Sequence, residues 1–231
     1  MLKLLHLEMR KYKIGGFIRG AIIANAILLG FFLLISFDFT KAGGFAFQDY
    51  QEVFSVIDSL VRGTFIVFAA VLLSRFVIGE FKNQVITVLF MYPINRKKMM
   101  MAKILIVVIF TFLAIVTANL FINISFYLLD TKFHFVPESL TTSLVIKNSI
   151  KMLMNALAAS SMCLIPLYVG MKKYSIQMTI VTSLPIVAMV TSSSGGVTFN
   201  DIIAVPLTLA FIGAFIAYLT IRNVEKIDIT C

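Results

Sequence analysis

Asp58 and Arg62 stand four residues apart in "DSLVR". On a helix that spacing puts both on one face, where carboxylate and guanidinium neutralise each other. Ionisable residues at membrane depth mark ion or substrate paths. In the outer headgroup layer the same two residues would be a surface pair. The sequence leaves both readings open, because the apolar stretch proper begins only at Gly63. Asn119 and Asn123 form a second pair at the same spacing. Their amides either bridge neighbouring helices, worth about 1 kcal/mol each, or line a substrate path. Other reactive side chains are sparse. His6 and His134 are the two histidines, and neither has a second His or a Cys near it in sequence, so a zinc site is not expected. Cys163 lies in an apolar run and reads as a buried structural thiol, and Cys231 is not in a prenylation box. No G-x-x-x-x-G-K-[ST] loop occurs, so the chain is expected to hold no nucleotide phosphates and to be no enzyme.

The elements that must position these residues follow from composition. Hydrophobic residues make up 60% of the 231 and charged residues 13%, with a mean hydropathy of +0.98. A soluble domain is nearer half apolar and a quarter charged, so lipid is the expected solvent for most of the surface. Phe is abundant and Trp absent, which leaves Tyr, Lys and Arg to anchor spans at the interface. The net charge of +9 resides in short loops between apolar runs. That pattern orients a membrane protein and does not make a nucleic-acid footprint.

Crossing ~30 Å of hydrocarbon takes about 20 apolar residues. Six segments qualify: 15–37, 54–78, 99–129, 148–170, 174–193 and 202–221. So many contiguous apolar runs predict an all-α membrane protein of six transmembrane helices, one embedded domain over residues 1–231, and not a barrel of alternating strands. With the N-terminus inside, fourteen Lys and Arg fall on the cytoplasmic side and four (Lys41, Lys132, Lys147, Lys151) on the other. Both termini are therefore expected in the cytoplasm, and Asp130 falls in an outer loop. Pro166, Pro185 and Pro206 fall one in each of the last three spans, and each is expected to kink its helix.

Two amphipathic elements lie outside the spans. Leu2, Leu5, Met9 and Tyr12 form a stripe at spacings of 3, 4 and 3, which predicts an interfacial helix over residues 1–13. The second is "GEFKNQVITVLFMYPINRKKMMMAK", residues 79–103. A helix over 80–92 puts Phe81, Val85, Val88, Leu89 and Tyr92 on one face, with Lys82, Asn83 and Thr87 away from it. Glu80 sits in its first turn, where the helix dipole favours an acid. Pro93 stops it, and Arg96, Lys97 and Lys98 mark the water boundary. The pattern fits a helix resting on lipid and equally an apolar ridge seated in a partner's groove.

This segment resembles the first cytoplasmic loop of bacterial ABC exporter permeases of the type-2 class, whose pattern runs E-x-K-x-x-T, an apolar stretch, P-[I/L]-x-R and a basic residue leading to A-K. Glu80, Lys82, Thr87, Pro93, Ile94, Arg96, Lys97, Ala102 and Lys103 occupy comparable positions, with Thr87 shifted from the usual spacing. The N-terminal helix, the six spans and the tail "YLTIRNVEKIDI" are similar to that family as well. The resemblance implies that residues 80–92 form a coupling helix docking on a separate cytoplasmic ATPase, through Glu80, Phe81, Lys82, Val85, Thr87, Leu89, Phe90, Tyr92, Pro93 and Arg96. It implies that ATP and Mg are bound by that ATPase, and that the permease pairs with a second copy or a paralogue in the bacterial cell membrane, surrounded by lipid. Small outer loops and few charges in the spans favour a hydrophobic or amphipathic cargo. Family analogy points to peptides, cytolytic or antimicrobial ones included, exported for self-protection. The alternatives are a lipid or drug exporter of the same architecture, or a membrane immunity or scaffold protein that transports nothing.

Overall fold

Lipid offers the backbone no hydrogen-bond partners, so an apolar chain must satisfy its own amides, and helices do so locally. The computed structural model describes residues 15–41, 47, 49–79, 96–133, 135–136, 141–173, 175–191, 193–194, 197–198, 208, 210–216 and 220. The interfacial helix expected over 1–13 and the helix expected over 80–92 lie outside these residues. Helix α1 is Gly15–Lys41. Helix α2, Tyr50–Leu73, continues through a π-helical turn, Ser74–Ile78. Helix α3 is Arg96–Phe133, α4 is Thr142–Met162, α5 is Ile165–Lys173 and α6 is Ile176–Thr191. Ser193–Ser194 (β1) pairs antiparallel with Val197–Thr198 (β2). Residues 208, 210–216 and 220 are helical, within the expected sixth span.

Among the described residues four stretches are long and apolar enough to cross a membrane: Gly15–Asp38, Tyr50–Ile78, Met99–Phe133 and Thr142–Lys173. Ile176–Thr191 is apolar but shorter. The first four expected spans are found, each with a longer helical stretch than hydropathy alone suggests, while the helix in the fifth is shorter than expected and the sixth is only partly described. Gln51 and Glu52 lower the apolar average, yet both belong to α2, which begins after Asp49 in extended backbone (φ −133°, ψ 152°). The fourth span is divided. Its helix stops at Met162 and resumes at Ile165. Met162 is the residue four before Pro166, whose ring clashes with that carbonyl and whose nitrogen cannot donate to it. α6, by contrast, runs unbroken through Pro185, and Pro206 lies outside the described residues.

α2 is the central helix and packs against α1, α3, α4, α5 and α6. Val53, Ile57, Val61, Phe65, Ile66, Ala69 and Leu73 are buried along it. Large apolar side chains on the other helices point away from the bundle: Ile22, Ile27, Phe31 and Leu34 on α1, Leu113, Phe121 and Leu128 on α3, and Ile146, Ile150 and Leu157 on α4. A surface of this kind belongs in hydrocarbon. Within lipid, helices gain nothing from hiding apolar area from water, so close packing and interhelical hydrogen bonds must hold them together.

Two glycines show how close that packing is. A Cβ on Gly170 of α5 would meet the Thr179 hydroxyl and Ile78 Cδ1, so the α5–α6 corner closes on the π-helical turn. A Cβ on Gly213 would meet the backbone carbonyl of Ser161. A backbone carbonyl in a helix cannot swing aside as a side chain tip can. Gly213→Val is therefore expected to lower stability by about 1–3 kcal/mol, read as a fall in the unfolding midpoint of the purified chain in detergent. An unchanged midpoint would show that this helix does not sit against α4.

Candidate functional site

The site grows from one face of α2. Gln51, Ser55, Asp58 and Arg62 recur at spacings of 4, 3 and 4, which makes a polar stripe down a helix that is otherwise apolar. Arg62 Nε lies 3.1 Å from Asp58 Oδ2 and also donates to the Asp58 carbonyl at 3.2 Å. Asn155 of α4 donates Nδ2 to Asp58 Oδ2 at 2.8 Å, and Asn119 of α3 donates Nδ2 to Oδ1 at 3.4 Å. One carboxylate thus joins three helices. All four residues are buried, with Arg62 3% exposed. Burying a charge is tolerable only when it is paired and hydrogen-bonded, and Asp58 has a cation and two amides to meet that need.

α4 answers with a stripe of its own. Lys147, Lys151 and Asn155 recur every four residues. The two stripes face each other across a cleft of about 50 Å³, whose walls include Phe54, Leu144 and Asn148. That is room for a few water molecules. Arg62 directs its Nε to Asp58 and is itself one of the residues that line this cleft.

A second polar contact closes the same end of the bundle. The Tyr50 hydroxyl donates to Asp130 Oδ2, and the backbone amides of Phe135 and Val136 donate to Asp130 Oδ1 at 2.8 and 3.1 Å. Asp130, expected in an outer loop, is instead buried in the last turn of α3. It fixes the chain reversal that carries Phe135 back onto the bundle. There Phe135 packs with Phe37, Phe126 and Phe133 at ring separations of 5.2, 5.9 and 5.6 Å. Tyr50→Phe removes the hydroxyl and keeps the ring. It is expected to cost about 1.5–3 kcal/mol, the range for a hydrogen bond to a charged group, seen as a lower unfolding midpoint in detergent. A midpoint within error of the parent would mean that Asp130 holds the turn without α2.

Of the residues singled out from sequence, Asp58, Arg62 and Asn119 come together. Asn123 does not join them. Its Nδ2 donates to the Asn119 carbonyl of its own helix at 2.8 Å, and its Oδ1, like that of Asn119, has no hydrogen-bond partner among the described residues. Asn155, Gln51 and Ser55 were not singled out, and Lys147 and Lys151 entered only as charges on the outer side, although the repeat of four along α4 was there to be seen. Of the expected docking residues, Arg96 is the first of α3. Glu80, Phe81, Lys82, Val85, Thr87, Leu89, Phe90, Tyr92 and Pro93 lie outside the described residues. Cys163 is fully buried, with its thiol donating to the Ser160 carbonyl at 2.9 Å. Among the described residues no three His, Cys, Asp or Glu side chains gather as a metal site.

Comparison with known proteins gives two matches. Residues 4–190 match the model of a family described as ABC-2 family transporter protein. The chain is 41% identical over 227 residues to the uncharacterized protein YcbO of Bacillus subtilis (strain 168), covering 98% of this chain and 100% of that relative. No solved structure gives a significant match.

Proposed function

The chain belongs to the ABC-2 transporter family, and from that premise we propose that it is the six-helix membrane subunit of an exporter driven by a separate ATPase. Members of this family are multi-pass membrane transport subunits that work with an ABC ATPase partner. In our reading both termini and residues 80–92 face the cytoplasm. A second permease, a copy or a paralogue, completes the pathway, and two ATPases sit beneath. ATP and Mg bind to those partners.

The observation that carries this reading is the course of α2. It holds the Asp58–Arg62 cluster near one end, and its π-helical turn delivers the chain to Gly79, where the amphipathic segment starts. Tyr50–Ile78 is 29 residues, about 43 Å at 1.5 Å per residue. Closure of the ATPases on nucleotide would pull residues 80–92, and α2 would carry the shift to its polar end. Coupling requires an element with two arrangements that both sites bias. In our reading the packing of α2 against α3, α4 and α6 would be that element. The π-helical turn gives the lever an adjustable joint, since such turns are a single inserted residue away from an α-helix. The cargo is amphipathic, with peptides as the class the family resemblance implies.

Purification of the tagged chain from its native membranes tests this. An ABC ATPase should accompany it, and the complex should hydrolyse ATP in proteoliposomes. A chain recovered without an ATPase under mild detergent would contradict the proposal.

A further inference from the structure

We propose that the cleft between α2 and α4 binds the phosphate-bearing headgroup of an anionic lipid. Binding there rests on the cleft itself and not on the exporter reading, whose proposed cargo is a peptide. Charge comes first. Arg62, Lys147 and Lys151 line the cleft against the single acid Asp58, so an anion is attracted and a cationic peptide repelled. Lys147 and Lys151 are four apart on one helix face, a spacing at which like charges destabilise each other, and a low-dielectric surrounding strengthens that repulsion. An anion seated between them relieves it.

Donor geometry narrows the class. The guanidinium of Arg62, a residue that lines the cleft, meets Asp58 through Nε, a contact that does not use its terminal amino groups. A planar pair of N–H donors matches two oxygens of a phosphate. The cleft is graded as well: Lys147 is exposed at its mouth, Lys151 half-buried, and Arg62 3% exposed at its floor. Gln51 to Arg62 spans eleven residue steps, about 16 Å, roughly half the hydrocarbon thickness.

A lipid, and not a free anion, is the favoured source because of what borders the charges. Ile146 and Ile150, each next to one of the lysines, are each 57% exposed on the outward face of α4. Phe54 and Leu144 give the cleft apolar walls. A headgroup can enter sideways between the helices while its tails stay in the surrounding hydrocarbon.

Native mass spectrometry of the full chain in detergent, titrated with phosphatidic acid or phosphatidylcholine, reads this out. Phosphatidic acid should bind at least about tenfold more tightly, because the zwitterionic headgroup offers the cations a compensated charge. Lys147→Gln combined with Lys151→Gln should weaken phosphatidic acid about twenty-fold, near five-fold per lysine. Arg62→Lys, which retains the charge opposite Asp58 and loses the planar fork, should weaken it several-fold. Unchanged binding in the double variant, or equal binding of both lipids, would overturn the site. Displacement of the lipid by millimolar inorganic phosphate would overturn the lipid source. A chain that pairs with an ATPase yet binds neither lipid selectively sinks this inference alone. One that binds phosphatidic acid and pairs with no ATPase sinks the exporter reading alone.

Discussion

Asp58→Ala is expected to destabilise the chain by about 3–5 kcal/mol, the cost of breaking a buried ion pair from one side. The substitution strands Arg62, which is 3% exposed, without its counter-charge. It also removes the acceptor for the amides of Asn119 and Asn155, so α3 and α4 lose their polar tie to α2 together. Such a loss is a large part of the 5–15 kcal/mol that holds a domain folded. The unfolding midpoint in detergent should drop steeply, and less chain should accumulate in the membrane. Asp58→Leu combined with Arg62→Met should recover much of this, because an apolar pair of similar volume carries no desolvation cost. Recovery should be incomplete, since both asparagine amides still lack their acceptor. A single Asp58→Ala change costing under about 1 kcal/mol, the worth of an exposed pair, would place Asp58 in the headgroups and not in a buried tie.

The contrast between Asp58 and Asn155 shows what a sequence can carry. Asp58 and Arg62 were recognisable as a pair because their relation is local, set by the pitch of one helix. Asn155 donates to Asp58 across 97 positions, and nothing local in "NSIKMLMNALAASSM" says which helix it will meet. Tyr50 and Asp130 are 80 positions apart. Asp130 closes the longest apolar run and so read as the start of a loop. Only the return of Phe135 against α1 and α3 turns it inward. Helix existence was legible for the same reason as the first pair, since hydropathy is summed along the chain. The division of the fourth span was half legible. Pro166 announced a disturbance, and the position of the break at Cys163–Leu164 follows from which carbonyl the ring obstructs.

Leu89→Asp, Phe81→Asp and Tyr92→Asp carry the second large expected effect. In the proposed complex these side chains form the apolar ridge that enters the ATPase groove. An aspartate there would be buried without a partner, and anchor residues of this kind cost about 2–4 kcal/mol when lost. Affinity for the ATPase should fall by about 30- to 1,000-fold at 1.4 kcal/mol per tenfold. The variants should insert normally, since residues 80–92 fall between the second and third spans expected from hydropathy. They should co-purify little or no ATPase and support no ATP-dependent export. Asn83→Ala, off the ridge, should behave as the parent. Parent-like recovery of the ATPase and parent-like export by Leu89→Asp would remove residues 80–92 from the docking role.

A photo-crosslinking amino acid placed at position 89 in intact cells tests the contact itself. Illumination should yield an adduct of this chain with an ABC ATPase, formed from the cytoplasmic side and lost when Phe81→Asp is added. An adduct with lipid alone, or labelling of a cysteine at position 82 by a reagent that stays outside the cell, would contradict the account.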